Sequence, residues 1–225
     1  MARLLHLARR SLYLGSLDHS PSSIFSTYRS YISEMRRSAF KENLLRIIRT
    51  EITYEAEYRA PLQPPSSFES FSVEDHPGEQ WIRLRRKFGE AEDIKVDATM
   101  FDGAIPPQRP PAAGGEEGPR MHISVIVEVS KGDAAGFVLQ FVCSAWKDSL
   151  DVEKVFPVAR GPGALRPFSP FFKDLDDELQ DATRKYLEER GVNDDLAEFL
   201  HVYMENKDKT EYIRWMLNVE SYVKK

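Results

Sequence analysis

The sequence predicts an α+β protein in which helices flank an antiparallel sheet. Three observations lead there. Apolar residues alternate with period two from Phe68 to about Val158, they recur every third or fourth position on both sides of that stretch, and the period-two runs are separated by Gly and Pro turns. With no helical pattern between the runs, no parallel crossover is available and consecutive strands pair as an antiparallel meander.

The 225 residues, 41% of them apolar, suffice for one domain plus segments outside its core. The strongest apolar run, Ile123 to Val129, is broken by Glu128. It falls far short of the roughly 20 residues a membrane helix needs, so no span is expected. The first 31 residues differ from the rest. Arg3, Arg9, Arg10 and Arg29 face a single acid, Asp18, and seven serines are interspersed. A helix from Met1 to Arg10 gathers Leu4, Leu5 and Ala8 on one side, with Leu12 continuing that side. This is the pattern of a mitochondrial transit peptide over residues 1–31, leaving 32–225 as one domain; a secretory signal would need a longer apolar core. The segment carries a net +3, so its removal takes the net charge from −5 to −8. Such a surface repels nucleic-acid phosphates and attracts basic proteins.

A helix is expected over 38–58, capped by Ser38 and carrying Phe40, Leu44, Ile47, Ile48 and Ile52; it ends before Pro61. Prolines at 61, 64 and 65 make the next stretch a connector. Strands follow at 68–74, 80–88, 92–101, 121–130, 136–146 and 150–158. Strand 136–146 is apolar on both faces and is expected at the centre of the sheet. Residues 102–119 hold five prolines and four glycines and read as a flexible loop. Beyond Pro170, Phe172, Leu175, Leu179, Ala182 and Tyr186 mark a helix. Gly191 ends it, and Asn193 or Asp194 caps the next, with its stripe of Leu196, Phe199, Leu200, Tyr203 and Met204. A third helical segment carries Tyr212, Trp215, Met216 and Val219, which are expected to pair with Phe40, Leu44 and Ile48 of the N-terminal helix.

Catalytic patterns are sparse. The five histidines lack zinc-ligand spacing, Gly161-Pro162-Gly163 is not a phosphate loop, and no serine-nucleophile motif occurs. Asp174 to Glu178 suits a helix start better than a calcium loop. Cys143 lies in an apolar run and reads as a buried, inert thiol. No cofactor, metal or catalytic residue is expected. Two charged surfaces remain. Alternation places Arg83, Arg85 and Lys87 on one strand face with Trp81, which suits either RNA or bridges to acidic neighbours. Asp176, Asp177, Asp181, Glu188, Glu189, Asp194, Asp195 and Glu198 lie off the apolar stripes as a candidate acidic binding surface.

The run Tyr186-Leu187-Glu188-Glu189-Arg190-Gly191-Val192-Asn193, then Phe199-Leu200, then Lys209-Thr210-Glu211-Tyr212-Ile213 with Trp215, then Ser221-Tyr222-Val223, resembles the mitochondrial glycoprotein family of acidic matrix proteins. The resemblance covers about residues 38–225. It implies a twisted antiparallel sheet of about seven strands, one N-terminal helix and two to three C-terminal helices, assembled as a doughnut-shaped homotrimer. It also implies a non-enzymatic multi-ligand adaptor of the mitochondrial matrix. Such an adaptor binds basic proteins or ribonucleoprotein components in support of ribosome assembly, translation or respiratory function. An RNA-binding scaffold using the Trp81, Arg83, Arg85 and Lys87 face is the alternative. Six strands are evident, so a seventh is hidden near Val152 to Arg160 or a long strand is broken in two. The loop at 102–119 has Glu116 and Glu117 as its only local acidic pair and departs from the most acidic family members.

Overall fold

The computed structural model describes residues 22–106, 118–132, 136–161 and 167–225, with side chains from residue 30 onward. Residues 1–21 of the expected transit peptide, 107–117 of the expected loop and 162–166 lie outside them. Helix α1 (Ser22–Tyr58) leads into seven strands: β1 (Ser67–Phe68), β2 (Phe71–Asp75), β3 (Trp81–Phe88), β4 (Glu92–Ile105), β5 (Arg120–Lys131), β6 (Phe137–Trp146) and β7 (Ser149–Ala159). A short 3₁₀ turn (Phe172–Asp174), helix α2 (Asp177–Glu188) and helix α3 (Asp194–Lys224) complete the chain. The strands pair antiparallel in sequence order. The chain forms two compact units that meet in sequence at Ile47 and Ile48.

In the unit from Ile48 onward, alternation divides the sheet into two chemically different faces. Ile82, Leu84, Ile94, Val96, Ala98, Ile123, Val125, Val127, Val129, Phe141, Cys143 and Ala145 point to one side and are all at most 3% exposed. They share a core with Leu187, Val192, Leu196, Ala197, Leu200, Tyr203 and Met204 of the C-terminal helices. The other face carries the intervening residues, which are mostly polar on β3 and β4 but include Ile126, Val138 and Val142 on β5 and β6. Burying each aliphatic side chain is worth about 1.5–3 kcal/mol, and that gain holds α3 against the sheet.

Several expectations change. Helix α1 starts at Ser22 and runs through Ser38 without a break, because no Gly or Pro interrupts residues 22–58. The expected 68–74 strand is two strands, split where Glu69 takes a positive φ of 47°; this accounts for the seventh strand. Asp102 to Ile105 extend β4 and are not loop. Strand β6 lies beside the edge strand, not at the centre. The two last helical segments are one 31-residue helix, since nothing between Met204 and Tyr212 stops it.

The stripe of α3 also changes side. Leu196, Leu200, Met204 and Lys207 are buried together, but Met216 and Val219 fall on another side of the helix at 3.6 residues per turn. Of the seven residues expected to pair the terminal helices, Ile48 and Met216 are buried and Val219 is half-buried. Phe40, Leu44, Tyr212 and Trp215 are exposed. Arg49 Nε, 2.7 Å from Glu220, nonetheless links α1 to α3.

The turn from α2 into α3 is a Schellman motif. Gly191 N donates to Glu188 O at 2.8 Å and Val192 N to Leu187 O at 3.0 Å, with Leu187 and Val192 both buried. Gly191 has φ of 74°, and a Cβ there would overlap the Arg86 guanidinium. Gly191→Ala is therefore expected to lower stability by about 2 kcal/mol in urea unfolding; an unchanged midpoint would contradict this account of the turn.

Candidate functional site

Ten carboxylates and three basic side chains lie between Asp174 and Glu198, a net of −7 that exceeds the −5 of the whole chain. The eight acids singled out in this segment are all exposed. Some serve the fold as well. Asp176 caps α2 by accepting from Glu178 N at 3.0 Å, Asp181 pairs with Arg184 at 3.0 Å, and Asp194 accepts from Leu150 N at 2.8 Å. Among the described residues, Asp177, Glu188 and Glu198 have no ion-pair partner. A cleft of about 530 Å³ between the α2–α3 turn and the start of β7 gathers Asp151, Glu188, Asp194 and Asp195 around Arg184.

The basic strand face is built differently. Arg83 makes two bonds to Asp97, at 2.6 and 2.9 Å, and Arg85 pairs with Glu74 at 2.9 Å. Lys95 bridges Asp97 and Glu128, and Glu128 accepts from Gln140 at 2.9 Å. A ladder of opposite charges thus crosses β2 to β5, and the neutral Gln140 continues it onto β6. The Trp81 ring is held between His76, 4.5 Å away, and the Arg83 guanidinium at 5.0 Å. Lys87 is exposed, opposite Asp93 in the register. Cross-strand charge pairs of this kind contribute about 0.2–1 kcal/mol each.

Two buried charges, Lys207 and Arg190, and the half-buried Arg86 tie the helices to the sheet, a role that no spacing in the sequence announced. Lys207 is 2% exposed and pairs with Asp75 at 2.6 Å and Glu211 at 3.5 Å. Glu211 also accepts from Gly78 N at 3.0 Å, so it joins α3 to the β2–β3 turn. Arg190 is 7% exposed, bonds Glu92 at 2.8 Å and Tyr186 O at 2.7 Å, and lies 3.4 Å over the Tyr186 ring. Arg86 donates to Arg190 O at 2.9 Å. Only the inward direction of two was signalled: Lys207 continues the Leu200, Met204 stripe, and Arg86 falls on the Ile82, Leu84 face. Two resemblance motifs also acquire reasons. Leu187, Arg190, Gly191 and Val192 make the closed turn, and Glu211 makes the lock while Tyr212 and Trp215 stack on each other at the surface. Cys143 is buried, which pushes its thiol up to about 12.

A helix-covered antiparallel meander with its negative charge gathered on the covering helices defines an acidic α+β scaffold. A family model described as mitochondrial glycoprotein matches residues 48–223, and the chain belongs to that family. A mitochondrial protein of Arabidopsis thaliana is 30% identical over 92% of this chain and 86% of its own length. The mitochondrial acidic protein mam33 of Schizosaccharomyces pombe is 26% identical over 85% of this chain and 84% of its own. Two solved structures share the fold. The Trypanosoma brucei p22 protein has a TM-score of 0.66 at 21% identity and covers 82% of this chain and 99% of its own. A Leishmania major protein described as a homologue of human p32 has a TM-score of 0.63 at 20% identity, over 81% and 98%.

Burial alone would raise the Glu92 carboxyl, but the hydrogen bond and charge of Arg190, with help from Lys131, hold it below its usual value of 4.5. The stabilisation it supplies is present above that value and is lost as pH falls through the lowered one. Glu92→Gln should therefore lower stability at neutral pH and flatten its decline below about pH 4.5. Urea unfolding across that range measures both effects; an acid decline as steep as the parent's would remove Glu92 from the account.

Proposed function

We propose that this chain is a mitochondrial, non-enzymatic adaptor that captures basic proteins on the acidic face of α2 and the first turns of α3. The observation that carries this reading is the concentration of exposed carboxylates between Asp174 and Glu198, on a helical turn held rigid by Leu187, Arg190 and Val192. The mitochondrial names of its relatives support the location, and the Arg- and Ser-rich first 31 residues support a transit peptide that leads to the matrix. Ligand capture by fixed negative charge needs no reaction centre and accepts many basic sequences. Ribonucleoprotein components rich in Lys and Arg are suitable ligands, which fits a role in ribosome assembly, translation or respiratory function.

The same reading has the protein working as a homotrimer. Its solved relatives' fold and the exposed Tyr212, Trp215 and Tyr222 of α3 support association, because large aromatic side chains are seldom left in water together. Direct RNA binding through Trp81, Arg83, Arg85 and Lys87 is the weaker reading. Asp97 and Glu74 already neutralise two of the three cations.

Binding of a Lys-rich peptide to the chain without residues 1–31 should weaken steeply as salt rises. Replacing together three acids that have neither ion pair nor capping bond, Asp177→Asn, Glu188→Gln and Glu198→Gln, should weaken it about tenfold at low salt, the effect of losing roughly 0.5 kcal/mol per surface charge pair. The variant should keep its thermal stability. Salt-independent binding, or full affinity in the triple variant, would refute the acidic-face reading; retention of single-stranded RNA abolished by Arg83→Ala with Arg85→Ala would support the alternative.

A further inference from the structure

Asp102, His122, Ser144 and Glu153 form a hydrogen-bonded row across β4, β5, β6 and β7 on the face of the sheet away from the helices. His122 Nδ1 lies 2.7 Å from Asp102 Oδ1, and His122 Nε2 lies 2.9 Å from Ser144 Oγ. Ser144 Oγ lies 3.2 Å from Glu153 Oε1. Regular pairing would not place the two carboxylates there. The β4–β5 register breaks on both sides of Phe101 and resumes at Gly103 with His122, leaving Asp102 without a partner. The β6–β7 register breaks between Val142 and Cys143, leaving Glu153 without one. Such bulges re-aim a side chain. Gly103 makes room for the ring: a Cβ there would come within 3.3 Å of His122 Cβ. Thr99 Oγ1 holds the second Asp102 oxygen at 2.9 Å.

The order Asp102, His122, Ser144 is that of an activated serine, but the fourth member opposes acyl transfer. Glu153 places a negative charge beside the oxygen that would attack, where an oxyanion would develop. What remains is the direction of the row. With one proton on the imidazole, Nδ1–H donates to Asp102 and Nε2 accepts the Ser144 hydroxyl hydrogen, so Glu153 does not receive it. A second proton makes Nε2 a donor. Ser144 then accepts from His122 and gives its own hydrogen to Glu153.

We propose that protonation of His122 fastens edge strand β7 to the sheet through Ser144 and Glu153, so that the row is a proton-operated clasp. Other charged groups among the described residues lie near it. Asp151 on β7 is paired in register with Ser144, and Arg120 on β5 lies 5.0 Å over the Trp146 ring and bonds Asp148 at 3.2 Å. Trp146 itself stands 5.0 Å from His122 and shields one side of the imidazole.

The test is hydrogen exchange of the β7 amides in the whole chain, corrected for intrinsic rate, at about pH 5.5 and about pH 8. Amides of residues 152–155 should exchange about fivefold more slowly at the lower pH, the size of one net hydrogen bond, while those of α3 keep their ratio. Ser144→Ala should erase the difference, and Glu153→Ala, at an exposed position, should do so with less risk to folding. Equal protection at the two pH values, a difference that survives Glu153→Ala, or covalent labelling of Ser144 by a fluorophosphonate would each overturn the clasp.

Discussion

Everything in this fold depends on sealing one face of a seven-stranded sheet under α3. The strands have period two, so each inward aliphatic forces its neighbour outward. The same sequence that builds the core from Ile82, Leu84, Ile94 and Val96 therefore builds the Arg83, Arg85, Lys95 and Asp97 ladder opposite. The ladder is a consequence of the core as much as a feature in its own right. Its charges are partly exposed, and pairing across strands spares the sheet the repulsion that three unmatched cations would create.

The helices are fixed by a different chemistry. Aliphatic contact positions α3 only loosely along its axis, because one leucine slot resembles the next. Lys207 with Asp75 and Glu211, and Arg190 with Glu92, supply direction. Breaking such a pair would leave a buried charge at a cost of about 3–5 kcal/mol, so shifts of register are heavily disfavoured even where the net stability gained is small. This pinning keeps the acidic segment from Asp174 to Glu198 in one orientation. A charged surface selects partners only if its charges keep their spacing, and the closed turn at Gly191 ensures that.

Much of this was legible in the residues. Alternation gave the three middle strands and their faces, and Gly191 marked the helix break. The split of 68–74 was not legible, because Glu69 has no local mark of a positive φ. The start of α1 was misplaced because Ser38, a good cap in isolation, sits among strong helix formers on both sides. The row of Asp102, His122, Ser144 and Glu153 was invisible for a deeper reason: its members are far apart in sequence, and two of them are aimed by bulges, which break the very periodicity used to find strands. Tyr212 and Trp215 looked like core by spacing, yet α3 changes its buried side between Lys207 and Met216.

The single thiol gives the fold an internal clock. Cys143 sits mid-strand in β6, 1% exposed, and its raised ionisation leaves almost no thiolate near neutrality. An alkylating reagent can reach it only when the packing between sheet and helices opens around it, so the pace of modification counts openings of that core. One natural atom thereby reports how often the molecule comes apart, with no dye or engineered label.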